Sequence, residues 1–204
     1  MTATSPTGPK LSDQLEQWLQ GEGERTLGTL VETFGEKSFA ILFVLLLGVP
    51  ALPLPTGGAT HVFEIIAALI ALQLIAGRHT VWLPNRWRGV ELAGKKQERF
   101  IRALLKLIRR LERLSRPRLR FLFHHRFSDV AFGLLVIAGT AGAFFAPPFS
   151  GLDTLPALGV VFISLGVLLE DFAIVVVGMV LGVAGVALEI ALGAAAVHEI
   201  RKIF

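Results

Sequence analysis

Acidic side chains in apolar surroundings are the residues of this sequence best suited to chemistry. Glu64 lies inside a long apolar stretch, and Glu170, Asp171 and Glu189 lie within or beside later ones. An ionised carboxylate is costly in such surroundings unless it faces a cavity or a partner. Glu64 is therefore a candidate for a proton-coupled site, because apolar residues continue on its C-terminal side. Glu170 and Asp171 are either a solvated helix end or a charge pair with Arg78.

Two breaks rich in proline and glycine interrupt the apolar stretches, at residues 48–58 and 147–151. Broken backbone at membrane depth is tolerated only where protein or a water-filled cavity satisfies its amides and carbonyls. We therefore expect the two tips to line a pocket for a small ion or polar solute, and a tight turn outside the membrane is the alternative. The candidate pocket residues are Pro53, Pro55, Thr56, Gly57, Gly58, Thr60, Glu64, Gln73, Pro147, Pro148, Ser150, Gly151 and Asp153.

Signals for catalysis, metals and cofactors are weak. The five histidines are scattered, and the spacing of His61 and Glu64 is a two-residue match that chance alone produces. Serine and histidine show no nucleophile-and-base arrangement, and no glycine-rich phosphate loop leads into a helix with Lys and Ser or Thr. Cysteine is absent, which excludes thiol chemistry. We expect neither an enzyme nor a bound cofactor or metal.

The composition indicates an all-α integral membrane protein. Hydrophobic residues make up 53% of the 204 residues, charged residues only 18%, and the mean hydropathy is +0.64. We expect a small bundle with two repeats of proline-broken helical hairpins, re-entrant or spanning, plus interfacial amphipathic helices. The expected organisation is a disordered segment at 1–10 and one membrane domain at 11–204. Within that domain we predict amphipathic helices at 11–36, hairpins at 37–85 and 127–171, a basic segment at 86–126, and a transmembrane segment at 172–200.

The basic segment carries fourteen Lys or Arg residues against three Glu. Apolar residues recur at helical spacing between residues 97 and 116, and basic residues fill the opposite face. Nucleic acids would also suit such a face, but the flanking apolar stretches favour anionic lipid headgroups and no nucleic acid. The positive charge places this segment on the cytoplasmic side of the membrane. The predicted headgroup contacts are Arg99, Arg102, Lys106, Arg109, Arg110 and Arg113.

An internal repeat follows from laying residues 38–78 over residues 131–171. Only six of 41 positions are identical, among them Pro55 with Pro148 and Gly58 with Gly151. The shared plan is more informative, because each copy has an apolar arm, a proline pair, small residues and a second apolar arm. Transporters often use such repeats, in parallel or inverted topology, with broken helices that meet near the middle of the bilayer.

The order of these motifs resembles the ExoD family, named for exopolysaccharide synthesis. The resemblance covers residues 11–185 and implies a small protein of the bacterial inner membrane that is connected with exopolysaccharide production. It implies no particular reaction. The residues that carry it are Gly48, Pro50, Pro53, Pro55, Gly58, Ala71, Leu72, Gln73, Gly77, Arg78, Trp82, Leu83, Pro84, Pro147, Pro148, Leu155, Pro156, Ala157, Leu158, Gly159, Gly166, Glu170 and Asp171.

Three functions fit the sequence. The first is a multi-pass transporter-like or channel-like protein of the inner membrane that forms a homo-oligomer, with a dimer favoured and Gly178 and Gly182 as one contact between copies. The second is an accessory protein that organises polysaccharide assembly through its basic helix. The third, an intramembrane enzyme acting on a lipid-linked saccharide, would need converging acidic groups with a metal or nucleophile.

Overall fold

The chain is helical throughout the part that the computed structural model describes, namely residues 10–21, 23–52, 60–92, 95–115, 125–146 and 150–203. Within these ranges no strand forms, and the prediction of an all-α protein is confirmed. Thr26 and Glu91 make an isolated antiparallel bridge. The helices are α1 (Leu11–Gln20), α2 (Leu27–Phe34), α3 (Lys37–Leu47), α4 (His61–Ile75), α5 (Asn85–Arg88), α6 (Lys95–Leu114), α7 (Arg126–Phe145), α8 (Thr154–Leu168) and α9 (Phe172–Ile203).

These helices belong to two compact units. The first is drawn from Met1–Gly35 and Leu83–Arg116, and the second from Glu36–Trp82 and Pro117–Phe204. We call them the amphipathic unit and the apolar unit. The sequence predicted one membrane domain over 11–204, and this division was not expected.

The amphipathic unit is organised around α6, whose apolar stripe packs on α1. Buried side chains recur on one face of α6 at helical spacing, which is why the helix forms against a partner. Ser12 lies in the first turn of α1. Its amide donates to Glu112 Oε1 at 3.0 Å and its hydroxyl to Oε2 at 2.5 Å. Glu112 thus satisfies an amide that the first turn leaves without a helical partner.

The apolar unit pairs helices from the two predicted hairpins. Helix α3 packs on α8, α4 packs on α7, and α9 lies along α8. Within the described part of the chain, two helical segments are long and apolar enough to cross a membrane, Arg126–Phe145 and Phe172–Ala195. The other arms are shorter: α4 and α8 have 15 residues each, or about 22 Å at 1.5 Å per residue. That is less than the roughly 30 Å of a hydrocarbon core.

Glycines allow the close approach of α8 and α9. A Cβ on Gly159 would lie 2.6 Å from the Cα of Gly182, and one on Gly178 would lie 2.6 Å from the amide nitrogen of Ile163. The pair Gly178 and Gly182, predicted as a contact between copies, is therefore used inside the chain. Its small-residue spacing does bring helices together, but the partner is α8.

The second arms of the two hairpins, α4 and α8, have the same length and the same bounds once the hairpins are aligned. Shifting α4 by the 93 residues of the sequence alignment reproduces the bounds of α8. Both helices end in the same hydrogen-bonded turn, in which the Arg78 amide donates to the Gln73 carbonyl at 3.1 Å and the Asp171 amide to the Gly166 carbonyl at 2.9 Å. The two arms thus share length and ending, although few of their residues are identical.

Candidate functional site: a buried carboxylate cluster

Glu64 lies in the first turn of α4 and is fully buried, with 0% of its side chain exposed. One carboxylate oxygen, Oε2, is 2.7 Å from Nδ1 of His61, one turn earlier on the same helix. The other oxygen, Oε1, is buried without any hydrogen-bond partner among the described residues. A buried carboxylate oxygen with no donor is energetically costly.

Two more carboxylates lie near this pair. Asp153 precedes α8 and is close enough to interact electrostatically with Glu64 and with His61. Glu189, on α9, is close enough to interact with Asp153, and its Oε1 is also buried without a partner in the described part of the chain. We call Glu64, Asp153, Glu189 and His61 the carboxylate cluster. It combines residues of α4 and α9 with the residue before α8, at one end of the apolar unit.

Packing around the cluster is apolar and close. The imidazole of His61 contacts the ring of Phe144 on α7, with centroids 4.9 Å apart. Pro156, in the first turn of α8, meets Gly142 of α7 and Gly185 of α9. These contacts limit the rotation of His61 and hold the ends of α7, α8 and α9 together. Glu64 is the fully buried member of the cluster, whereas His61, Asp153 and Glu189 are half-buried.

The remaining predicted pocket residues have varied positions. Thr60 is buried directly before α4, and its carbonyl accepts the Glu64 amide at 3.2 Å. Ser150 is exposed and accepts the Leu152 amide at 3.2 Å, and Gly151 has a positive φ of 69°. The tip residues Pro53, Pro55, Thr56, Gly57, Gly58, Pro147 and Pro148 lie outside the described residues.

Gln73 is not part of the cluster. It lies nine residues after Glu64, and its side chain holds the backbone of Trp82 through two hydrogen bonds of 2.8 and 3.3 Å. Asp171 also has a structural position, since its Oδ1 accepts the Ala173 amide at 2.9 Å and caps α9. Arg78 and Glu170, the other members of the predicted charge pair, line one cavity at the opposite end of the apolar unit.

Sequence reasoning singled out Glu64 and Asp153 but did not join His61 and Glu189 to them. The spacing of His61 and Glu64, three residues apart on a helix, was a usable signal that was set aside as chance. Glu189 gave no such signal, because it is more than thirty residues from the rest of the cluster in sequence. Among the described residues no group of three or more His, Cys, Asp or Glu is arranged to hold a metal ion.

The basic face of α6 is largely exposed in the amphipathic unit. Arg99, Arg102, Lys106, Arg110 and Arg113 are exposed. Arg109 differs, since it is partly buried and forms an ion pair with Glu16 of α1. The predicted headgroup contacts thus include one residue that also ties α6 to α1.

The match to a known protein family covers most of the chain. Residues 11–191 match the family described as "Exopolysaccharide synthesis, ExoD". The chain belongs to the ExoD family. This places the protein in a family linked to exopolysaccharide synthesis and confirms the resemblance.

Two known proteins are similar to this ExoD-family chain. Protein ExoD of Rhizobium meliloti is 32% identical over 147 residues, which are 72% of this chain and 61% of that protein. An uncharacterized protein of Synechocystis sp., slr1875, is 29% identical over 177 residues, which are 85% of this chain and 82% of that protein. No solved structure matches the chain.

Proposed function

We propose that this ExoD-family chain acts in exopolysaccharide production as a transporter-like or channel-like protein of the bacterial inner membrane. The carboxylate cluster would bind the moving species, a proton or another small cation. The observation that carries the proposal is the buried Oε1 of Glu64, which lacks a donor among the described residues. An acidic side chain buried between apolar helices indicates a functional site. The partner of Glu64 in this site is His61.

The helix lengths support a multi-pass arrangement. Helix α7, with 20 residues, is about 30 Å long and matches the hydrocarbon core, and the apolar part of α9 exceeds it. The pairs α3 with α4 and α7 with α8 would form the two hairpins. Positive charge would hold residues 86–126 on the cytoplasmic side.

The matched ends of α4 and α8 support a repeat. Because α3 packs on α8 while α4 packs on α7, each arm of one hairpin faces the other arm of its counterpart. This reciprocal pairing is expected of two related halves around a common axis. In such an arrangement, Thr60 and Asp153 occupy equivalent positions at the cluster.

A flux experiment tests the proposal. Purified protein is reconstituted into liposomes that contain a pH-sensitive dye, and ion flux is followed after a pH, sodium or potassium jump. We expect the double variant E64Q/D153N, which removes two charges with little change in shape, to lower flux at least tenfold. The control is E32Q, which changes an exposed carboxylate of the amphipathic unit that pairs with Arg88 at 2.5 Å. Equal flux in E64Q/D153N and E32Q would refute a role for the cluster.

A second function rests on a different surface. The exposed basic side chains of α6 suit an accessory protein that organises polysaccharide assembly on anionic lipids, at about 1 kcal/mol per basic residue near the surface. In that case reversing Arg102, Lys106 and Arg110 to Glu abolishes polymer production, while E64Q/D153N leaves it unchanged. If E64Q/D153N abolishes polymer production and the charge reversal on α6 leaves it unchanged, the transport function is supported. Neither function requires a cofactor or an enzymatic step.

We also propose that the chain forms a homo-oligomer, because 204 residues provide few helices to enclose a pathway. Since Gly178 and Gly182 face α8, a second copy would use the outer face of α9. Val180 and Val183 are 62% and 69% exposed there. Crosslinking of V183C in liposomes, with A187C as a neighbouring position, would report this contact in a chain that has no native cysteine.

A further inference from the structure

The end of the apolar unit opposite the carboxylate cluster contains a cavity of about 450 Å³. It lies where α3 and α7 begin and where α4 and α8 end. Three cations, Lys37, Arg78 and Arg126, line it together with His79 and the carboxylates Glu36, Asp129 and Glu170. The cavity thus combines basic and acidic groups, and their arrangement decides which ligand it suits.

The acidic side of the cavity is grouped around the imidazole. Nδ1 of His79 is 2.7 Å from Oε1 of Glu36. The charged groups that act on Asp129 are Glu36 and His79, and neither arginine is among them. Glu36 and Asp129 are therefore grouped around His79.

The basic side of the cavity has unused donors. Neither Arg78 nor Arg126 forms an ion pair or side-chain hydrogen bond with any described residue. The guanidinium of Arg126 lies against Gly77, with a terminal nitrogen 2.8 Å from the position a Cβ would take. Gly77 has a positive φ of 82°, and its missing side chain leaves room for this guanidinium directly beside Arg78. Two arginines thus adjoin one turn, with up to five N–H donors each.

From this geometry we propose that Arg78 and Arg126 bind a phosphate group in the cavity, carried by a lipid headgroup or by a free phosphate. The planar guanidinium fork matches two phosphate oxygens at once, and charge-assisted hydrogen bonds of this kind are about twice as strong as neutral ones. Lys37 supplies a third positive charge. The site is separate from the carboxylate cluster, so phosphate binding here does not depend on the transport function.

Binding to two probes tests the proposal and separates the two phosphate sources. Protein in a phosphate-free maltoside detergent is titrated calorimetrically with inorganic phosphate and, separately, with dihexanoyl phosphatidic acid. We expect R78Q/R126Q to weaken binding at least tenfold. The matched control R102Q/R110Q removes two exposed arginines from α6 and should leave the affinity unchanged. R126K keeps the positive charge but loses the planar guanidinium fork. We expect its affinity for the probes to lie between those of the wild type and R78Q/R126Q.

Each outcome is decisive. Binding of both probes, lost in R78Q/R126Q, identifies the phosphate group itself as the ligand, and binding of phosphatidic acid alone identifies a lipid headgroup. Binding of neither probe overturns the proposal. So does a loss in R102Q/R110Q that equals the loss in R78Q/R126Q, which would assign binding to the basic helix. Circular dichroism melting of every variant separates lost binding from lost folding.

Discussion

The contact between Gly159 of α8 and Gly182 of α9 leads to a sharp prediction, because its two sides are not equivalent. A Cβ added to Gly159 would lie 2.6 Å from the Cα and 2.7 Å from the amide nitrogen of Gly182. A Cβ added to Gly182 would meet only the Cα of Gly159, at 3.9 Å. The same substitution to alanine therefore clashes with backbone on one side and fits on the other.

The magnitude follows from these distances. Carbon atoms pack best at about 3.5–4.0 Å, so Gly159→Ala forces the backbones of α8 and α9 apart by about 1 Å. Overpacking of this kind costs about 1–3 kcal/mol, and the upper end applies where backbone atoms must move. Alanine recovers about 1 kcal/mol of helix propensity over glycine. We expect Gly159→Ala to destabilise the protein by about 2 kcal/mol and Gly182→Ala to be neutral or to stabilise it by up to about 1 kcal/mol.

Unfolding in mixed micelles, followed by circular dichroism, measures the difference. For a chain of this size, 2 kcal/mol corresponds to a decrease in Tm of about 4–8 °C. Gly193→Ala is a useful third variant, because nothing lies within 4 Å of its added Cβ and only helix propensity changes. If Gly159→Ala and Gly182→Ala unfold at the same temperature, α8 and α9 do not approach as described and the reasoning is wrong.

Two further predictions concern helix caps. Thr29 and Thr26 form a reciprocal capping box, with the Thr29 amide donating to Thr26 Oγ1 at 3.2 Å, so Thr26→Ala should cost about 1 kcal/mol of unfolding free energy in the same assay. Thr33→Ala, which removes only an exposed hydrogen bond to the Thr29 carbonyl, should cost less, and equal losses would contradict a capping role. Asp171→Ala should also cost about 1 kcal/mol through the lost bond to the Ala173 amide, whereas Asp171→Asn keeps an acceptor and should be nearly neutral. A loss in Asp171→Asn as large as in Asp171→Ala would show that the charge matters more than the cap.

The helical arms could be predicted from sequence because their signals are local. Apolar runs bounded by proline and glycine predicted helical arms within residues 37–85 and 127–171, and α3, α4, α7 and α8 lie there to within one residue. The basic periodicity predicted α6 within two residues at either end. Periodicity could not show which helices pack together, because the arms of the apolar unit are apolar on most faces. The division into two units and the use of Gly178 and Gly182 against α8 depend on that packing and were missed.

The candidate site was only partly predictable for the same reason. Glu64 could be found because a carboxylate inside an apolar helix is conspicuous in any sequence. Its contact with His61 followed from helical spacing and should have been given weight. Glu189 joins the site only because α9 runs back along α8 and returns its later turns to the start of α8. Gln73, equally conspicuous in sequence, holds the Trp82 backbone instead.

The correspondence of α4 and α8 bears on how one scaffold can hold two different sites. Under the 93-residue shift the backbone turns at both ends agree, but the side chains with chemistry do not. Glu64 corresponds to Ala157, and Arg78 corresponds to Asp171. If the halves are repeats, the backbone frame is common to both, while equivalent positions of the two arms carry different side chains. Buried charge is costly, and α8 has Ala157 where α4 has the buried Glu64, so this position carries a carboxylate in one arm only.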